Sequence, residues 1–209
     1  MEGHSWTWRL QSEKKIRSLG IPFNPQLPLL SDVTKLRSEK ECVSRAFALF
    51  AFMHLVFDEI LPDELESILN RHSLYQALST VEKSMLHQPE RRAELDMRIE
   101  ALYALSWSLS HLGKIDCGDY VPDTLASHFP DVENPDALNL LRLNSKLRGL
   151  HEIAEELDFI YCHHWALVHC RIHQLPNPGS IPESVVRERR QALEWIISDE
   201  AWDDIELDT

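Results

Sequence analysis

SEKECVSRAFALFAFMHLVFDEIL, residues 38–61, is the stretch on which the fold turns. Ser38-Glu39-Lys40-Glu41 is a capping box: the serine and the glutamate each satisfy the other's exposed backbone N–H. Beyond it Ala46, Leu49, Phe50, Met53 and Phe57 recur at helical spacing, so the reading is an apolar helix running to about Leu61. The apolar window from Ala46 to Phe57 contains His54 and stops at Asp58-Glu59, short of the ~20 apolar residues needed to cross a bilayer.

The same signals recur outward from this helix. Pro62-Asp63-Glu64 starts a shorter helix through Leu65, Ile68 and Leu69, and Ser79-Thr80-Val81-Glu82 is a second capping box. A third, Ser180-Ile181-Pro182-Glu183, opens a helix to about Ser198. Trp6 to Leu19 reads as a first helix with Ser5 as its N-cap and Gly20 as its stop. Ile21 to Leu30, with Pro22, Pro25 and Pro28, is a loop. Glu90 to Leu112 is a long amphipathic helix through Leu95, Ile99, Leu102, Leu105 and Leu109, stopped by Gly113. Asn134-Pro135 caps another helix, proline fitting the first helical position. Leu150 to Leu175 is a further long helix, ended by Pro176-Asn177-Pro178-Gly179. Neither β-alternation nor a fixed-period repeat is present. The expected fold is all-α: an irregular bundle of about seven to eight helices with loop-rich acidic insertions, one helical domain over residues 1–209.

Composition narrows the classes. Hydrophobic residues make up 44% and charged residues 26% of the 209, enough apolar matter for a packed core. With six glycines in all, phosphate-cradling loops have little to draw on, and no G-x-x-x-x-G-K, G-x-G-x-x-G or G-x-S-x-G occurs. Met-Glu-Gly-His-Ser-Trp has neither the basic start nor the apolar stretch of a secretion signal. Cys42, Cys117, Cys162 and Cys170 form no C-x-x-C pair. Cys162 and Cys170 lie roughly 12 Å apart along one helix, too far to bridge. Reduced thiols in a cytoplasmic protein are the simplest reading.

Net charge is −13, and it is unevenly placed. Residues 1–100 carry 13 Lys+Arg against 15 Asp+Glu, whereas residues 101–209 carry 8 against 19. Nucleic-acid binding calls for a basic stripe, and this bias is the opposite. The loop-rich segment from Asp116 to Asp136 has six acids and no Lys or Arg, and the last eleven residues hold six acids and no base.

The last third carries a recognisable pattern. Leu157-Asp158-Phe159-Ile160-Tyr161 with His164-Trp165-Ala166, then Val186-Arg187-Glu188-Arg189-Arg190-Gln191-Ala192-Leu193-Glu194-Trp195, then Trp202-Asp203-Asp204 and Asp208-Thr209, resemble the bacterial "domain of unknown function 4272" family. Leu27-Pro28, Arg37-Ser38 with Glu41, Arg45-Ala46, and Glu100-Ala101 leading to Trp107 fit the same pattern. The resemblance covers about Arg9 to Thr209 and departs at Cys162, where the family is expected to prefer Arg. It implies a helical bacterial protein and carries over no activity and no catalytic residues.

Candidate chemistry is thin. His169 and His173 have an i,i+4 metal-ligand spacing, but no third ligand follows and Cys170 stands where an H-E-x-x-H helix has Glu. The reading is a solvated helix end, with no metal and no cofactor. His164 falls on the apolar face with Leu157, Tyr161 and Val168 and reads as a hydrogen-bonded core histidine. Neither Cys162 nor Cys170 has a nucleophile motif around it. Arg187, Arg189 and Arg190 could hold an anion. The structural reading is preferred: Arg190 clamps the acidic tail through Asp203 or Asp204, with Trp195 and Trp202 packed nearby.

Acids interleaved with aromatics suit a surface that docks on a basic partner. The expected interface is Asp116, Asp119, Tyr120, Asp123, Phe129, Asp131 and Glu133. The expected function is non-enzymatic: a protein that binds and occludes a basic protein partner, such as an immunity protein neutralising a cognate toxin. No nucleic acid or membrane is expected as a partner. The alternatives are an enzyme with a His/Cys/carboxylate site and a scaffold protein that forms homo-oligomers.

Overall fold

The computed structural model describes residues 3–30 and 33–209. Met1 and Glu2, where the stretch read for a secretion signal begins, lie outside the described residues. The chain is 61% helical, and the described residues contain no strand. Eight α-helices follow in order: α1 Gly3–Ser18, α2 Glu39–Val56, α3 Pro62–Arg71, α4 Thr80–Met85, α5 Arg98–Ser108, α6 Ala137–Asn144, α7 Leu150–Ile172 and α8 Glu183–Ile197. Short 3-10 turns at Tyr75–Ala77, Pro89–Leu95, Asp123–His128 and Trp202–Asp204 join or follow them. No described helix is long and apolar enough to cross a membrane.

α2 is the central element. Ser38 and Glu41 form the capping box at its start. Behind it Ala46, Phe47, Leu49, Phe52 and Leu55 are fully buried, so it is enclosed almost all round. It packs on α3, α5 and α6; α5 packs on α8, α8 on α7, and α7 on α1. The second capping box, Ser79 with Glu82, also forms and starts α4.

Buried ion pairs tie this stack together. Arg9 of α1 meets Asp158 of α7 at 2.9 Å, and Arg45 of α2 meets Glu82 of α4 at 2.6 Å. Arg189 of α8 meets Glu100 of α5 at 2.7 Å, and Arg98 meets Glu188 between the same helices at 2.8 Å. Such pairs cost desolvation, and what they add is a fixed register between the elements they join.

Three local expectations are corrected. The stretch expected as one helix from Glu90 to Leu112 is a 3-10 turn over Pro89–Leu95 followed by the shorter α5. Across the break Arg92 turns inward to Leu86 C=O at 3.0 Å, and Arg98 of α5 turns to Glu188 at 2.8 Å. The third capping box does not form. Ser180 Oγ donates to Gly118 C=O instead, and Glu183 pairs with Arg171 of α7 at 2.7 Å. Ser5 lies inside α1, where its hydroxyl donates to Leu30 C=O at 2.8 Å and fastens the proline loop to the helix.

Candidate protein-binding surface

The acidic segment is braced from within. Arg189 is the hub: Nε donates to Glu100 Oε2 at 2.9 Å, Nη2 to Asp119 C=O at 2.7 Å, and Nη1 to Asp116 C=O. Its guanidinium lies 5.0 Å from the Tyr103 ring centre. Glu100 Oε1 accepts from Val121 N–H at 2.9 Å, and Tyr103 OH accepts from Asp116 N–H at 3.0 Å. The loop main chain is therefore anchored to α5 and α8 while its acidic side chains point elsewhere.

Leu125, Phe129 and Val132 pin the rest of the segment to the core. Phe129 was expected at the interface and is not available there. It is 8% exposed and stacks on Phe50 of α2, ring centres 4.3 Å apart at 20°. An aromatic three residues before Val132, in a chain with a large apolar helix to cover, is consumed by the core first. Tyr120, by contrast, is 48% exposed.

Around Tyr120 the carboxylates face solvent. Asp119, Asp123, Asp131 and Glu133 are exposed, and among the described residues none has a cation within ion-pair distance. Asp119 Oδ1 accepts from Tyr120 N–H at 2.8 Å and Asp131 Oδ1 from Glu133 N–H at 2.9 Å, local turn contacts that hold the side chains up. Asp116 differs: half-buried, it accepts from Gly118 N–H and pairs with Lys114 at 3.3 Å, and these contacts hold its carboxyl below the usual range.

Arg190 does hold the tail, but not through Asp203 or Asp204. Its Nη1 donates to the main-chain oxygens of Leu207 and Asp208, each at 3.2 Å, and its Nε to Glu194 at 3.1 Å. Trp202 sets this register. Its ring is buried with the Arg45 guanidinium 3.9 Å from its centre and Trp195 5.7 Å away, and Gln191 donates to its main-chain oxygen. The turn that follows then lies over α4, where Asp203 accepts from Val81 N–H at 3.0 Å. Asp204 is exposed. Arg37 covers the other side of Trp195 at 4.4 Å.

The remaining candidates find ordinary explanations. His169 stacks on Trp165 and meets His173 at a tilt of 51°, and no group of three His, Cys, Asp or Glu among the described residues could hold a metal. His164 is buried and hydrogen-bonded, as expected, though its partner is Arg190. Burial pushes the thiols of Cys42 and Cys162 up to about 12, which leaves them protonated and poorly nucleophilic at neutral pH.

Sequence reasoning did not find a groove of about 670 Å³ between the start of α2, the segment before α4 and the tail. Arg37, Glu41, Arg45, Trp195 and Trp202 line it. These same residues had been singled out as motif pieces, but their convergence depends on the path of the tail, which no local pattern encodes.

The fold and this surface define a class: a helical protein whose motif residues are spent on internal braces and whose acidic segment around Tyr120 turns its carboxylates outward. The family follows from comparison. The family model for the domain of unknown function DUF4272 matches residues 9–205, and the chain belongs to that family. No curated protein and no solved structure matches it.

Proposed function

We propose that this is a non-enzymatic binding protein that occludes a basic protein partner through the acidic surface centred on Tyr120, acting as a bacterial, cytoplasmic immunity protein against a cognate toxin. One observation carries the reading. Five of the eight basic residues of the second half are already committed inside the chain: Lys114 to Asp116, Arg148 to Glu152, Arg171 to Glu183, Arg189 to Glu100 and Arg190 to Glu194. Among the described residues the carboxylates of Asp119, Asp123, Asp131 and Glu133 have no ion-pair partner, and the guanidinium of Arg71 on α3 donates to Glu133 C=O at 2.7 Å.

A rigid patch of like charge with one exposed aromatic supplies long-range steering and a short-range anchor. The brace by Arg189 matters because it fixes the loop before binding, which reduces the ordering cost of association. The four cysteines are free, in keeping with a reducing compartment.

The test is capture from the native host with the wild-type protein and with the triple reversal Asp119→Lys, Asp123→Lys, Asp131→Lys. The expected result is a basic protein retained by the wild type and lost by the reversal, with the reversal still folded by circular dichroism. Equal retention by both proteins would remove this surface as the interface.

A further inference from the structure

We propose that His164 is an acid-operated latch for the end of the C-terminal tail: proton uptake at its Nδ1 drives Arg190 off and frees Leu207 and Asp208. This goes beyond the binding function and does not depend on it.

The geometry is a three-part relay. His164 of α7 is 3% exposed, and its Nδ1 lies 3.0 Å from Arg190 Nη1 of α8. A guanidinium cannot accept a hydrogen bond, so the Nδ1 lone pair must face it and the ring proton must sit on Nε2. That Nε2 is buried with no partner. The same Arg190 Nη1 holds Leu207 and Asp208 by their main-chain oxygens. The imidazole, the guanidinium and the tail thus share one nitrogen.

A proton added to His164 has only Nδ1 to bind, and there it faces a donor. The hydrogen bond becomes a contact between two N–H groups and two positive charges, in surroundings too dry to screen them. Relief requires Arg190 to move, and its move breaks the two bonds to the tail. The other charged groups around the ring do not offset this. From α8, Arg190 and Arg187 oppose protonation and Glu183 favours it; from α7 itself, His163 opposes it and Tyr161 lies next to Arg190. From α1, Arg9 covers the far side of Tyr161 at 5.9 Å, and the tail brings Asp208. Burial and Arg190 together depress the imidazole to about 4. Glu194, the carboxylate partner of Arg190, has its carboxyl raised by burial, so its own proton uptake favours the closed arrangement and works against release.

Release frees Leu207 and Asp208, while Trp202 keeps its own ties to Gln191 and Arg45. The full-length protein is followed by NMR at pH 7 and pH 5, with the backbone order of residues 205–209 read against that of α2 and α5. The population with a mobile end should rise roughly tenfold or more at pH 5, while α2 and α5 stay ordered. In His164→Gln, whose amide oxygen still accepts from Arg190, the end should stay ordered at both. Unchanged wild-type order at residues 205–209, an equal loss in His164→Gln, or a loss shared by α2 and α5 would overturn the latch. Should the variant fail to fold, NMR titration of the His164 ring in the wild type decides. Its protonation must track the loosening of the tail, and a ring that stays neutral while the tail loosens overturns the proposal.

Discussion

Arg189 illustrates how one side chain can serve both fold and surface. It is buried, and its ring of acceptors includes one carboxylate, Glu100, and two loop carbonyls. Arg189→Met would leave Glu100 charged and unpaired in the core and should cost about 3–5 kcal/mol in urea denaturation. The same change should speed proteolysis between residues 116 and 136, because the loop loses its inner brace. A stable variant with an unchanged cleavage rate would show that the brace is dispensable. His163 and His164 make the second prediction at this scale. Burial and neighbouring arginines depress both to about 4, below their ordinary 6.5. The unfolded chain therefore binds more protons than the folded one between pH 6.5 and about 4, and stability falls as pH falls through that window, by on the order of 3 kcal/mol per imidazole at most. Glu156 and Glu194 act the other way, since burial raises their carboxyls and their contribution is lost as pH rises through the raised range. The histidine contribution is isolated by thermal unfolding of the wild type beside His164→Gln: the wild type should lose more stability than the variant between pH 7 and pH 5. An equal change in both proteins would contradict this.

Helix starts were legible at Ser38 and Ser79, where the capping box closes within four residues, but not at Ser180, whose hydroxyl is taken by Gly118 C=O. The ends use one device that composition conceals. α1, α2, α3, α5 and α7 all close with a Schellman turn, in which an N–H reaches back five residues: Ile21 to Ile16, Glu59 to His54, Leu74 to Leu69, His111 to Ser106 and Leu175 to Cys170. Gly20 supplies the left-handed residue once, but Asp58, Ser73, Ser110 and Gln174 supply it elsewhere at φ of 54–63°. With no glycine at positions 58, 110 and 174, the apolar residues just beyond them read as helix on to Leu61, Leu112 and Leu175. An L residue in that conformation costs about 1–2 kcal/mol, partly offset by the chain entropy of glycine. Gln174→Gly should therefore raise stability by about 0.5–1 kcal/mol, and a lower melting temperature would show that the side chain matters. The tail is the other element whose role was visible before its contacts. Truncation after Ser198 removes Trp202 from its place beside Arg45 and should cost ~3 kcal/mol or more, whereas an unchanged melting temperature would mean that the tail adds nothing to the fold.

At the scale of the whole molecule, the excess charge lies in the second half, with 8 basic residues against 19 acidic, and the exposed carboxylates fall in the segment around Tyr120 and in the C-terminal tail. The charge was legible in the sequence. The withdrawal of Phe129 into the core was not, because it depends on Phe50 lying opposite, 79 residues earlier in the chain. Exposed charges act mainly on the rate of encounter and are screened over about 8–10 Å at ordinary ionic strength. The central claim, that an acidic face built around Tyr120 captures a basic protein, is tested most directly by the association rate of the captured partner across a salt series. Wild-type association should slow steeply as salt rises while dissociation changes little, and the triple reversal at Asp119, Asp123 and Asp131 should associate slowly at every salt concentration. A wild-type rate that is flat in salt, or a reversal that associates as fast as the wild type, would contradict the account.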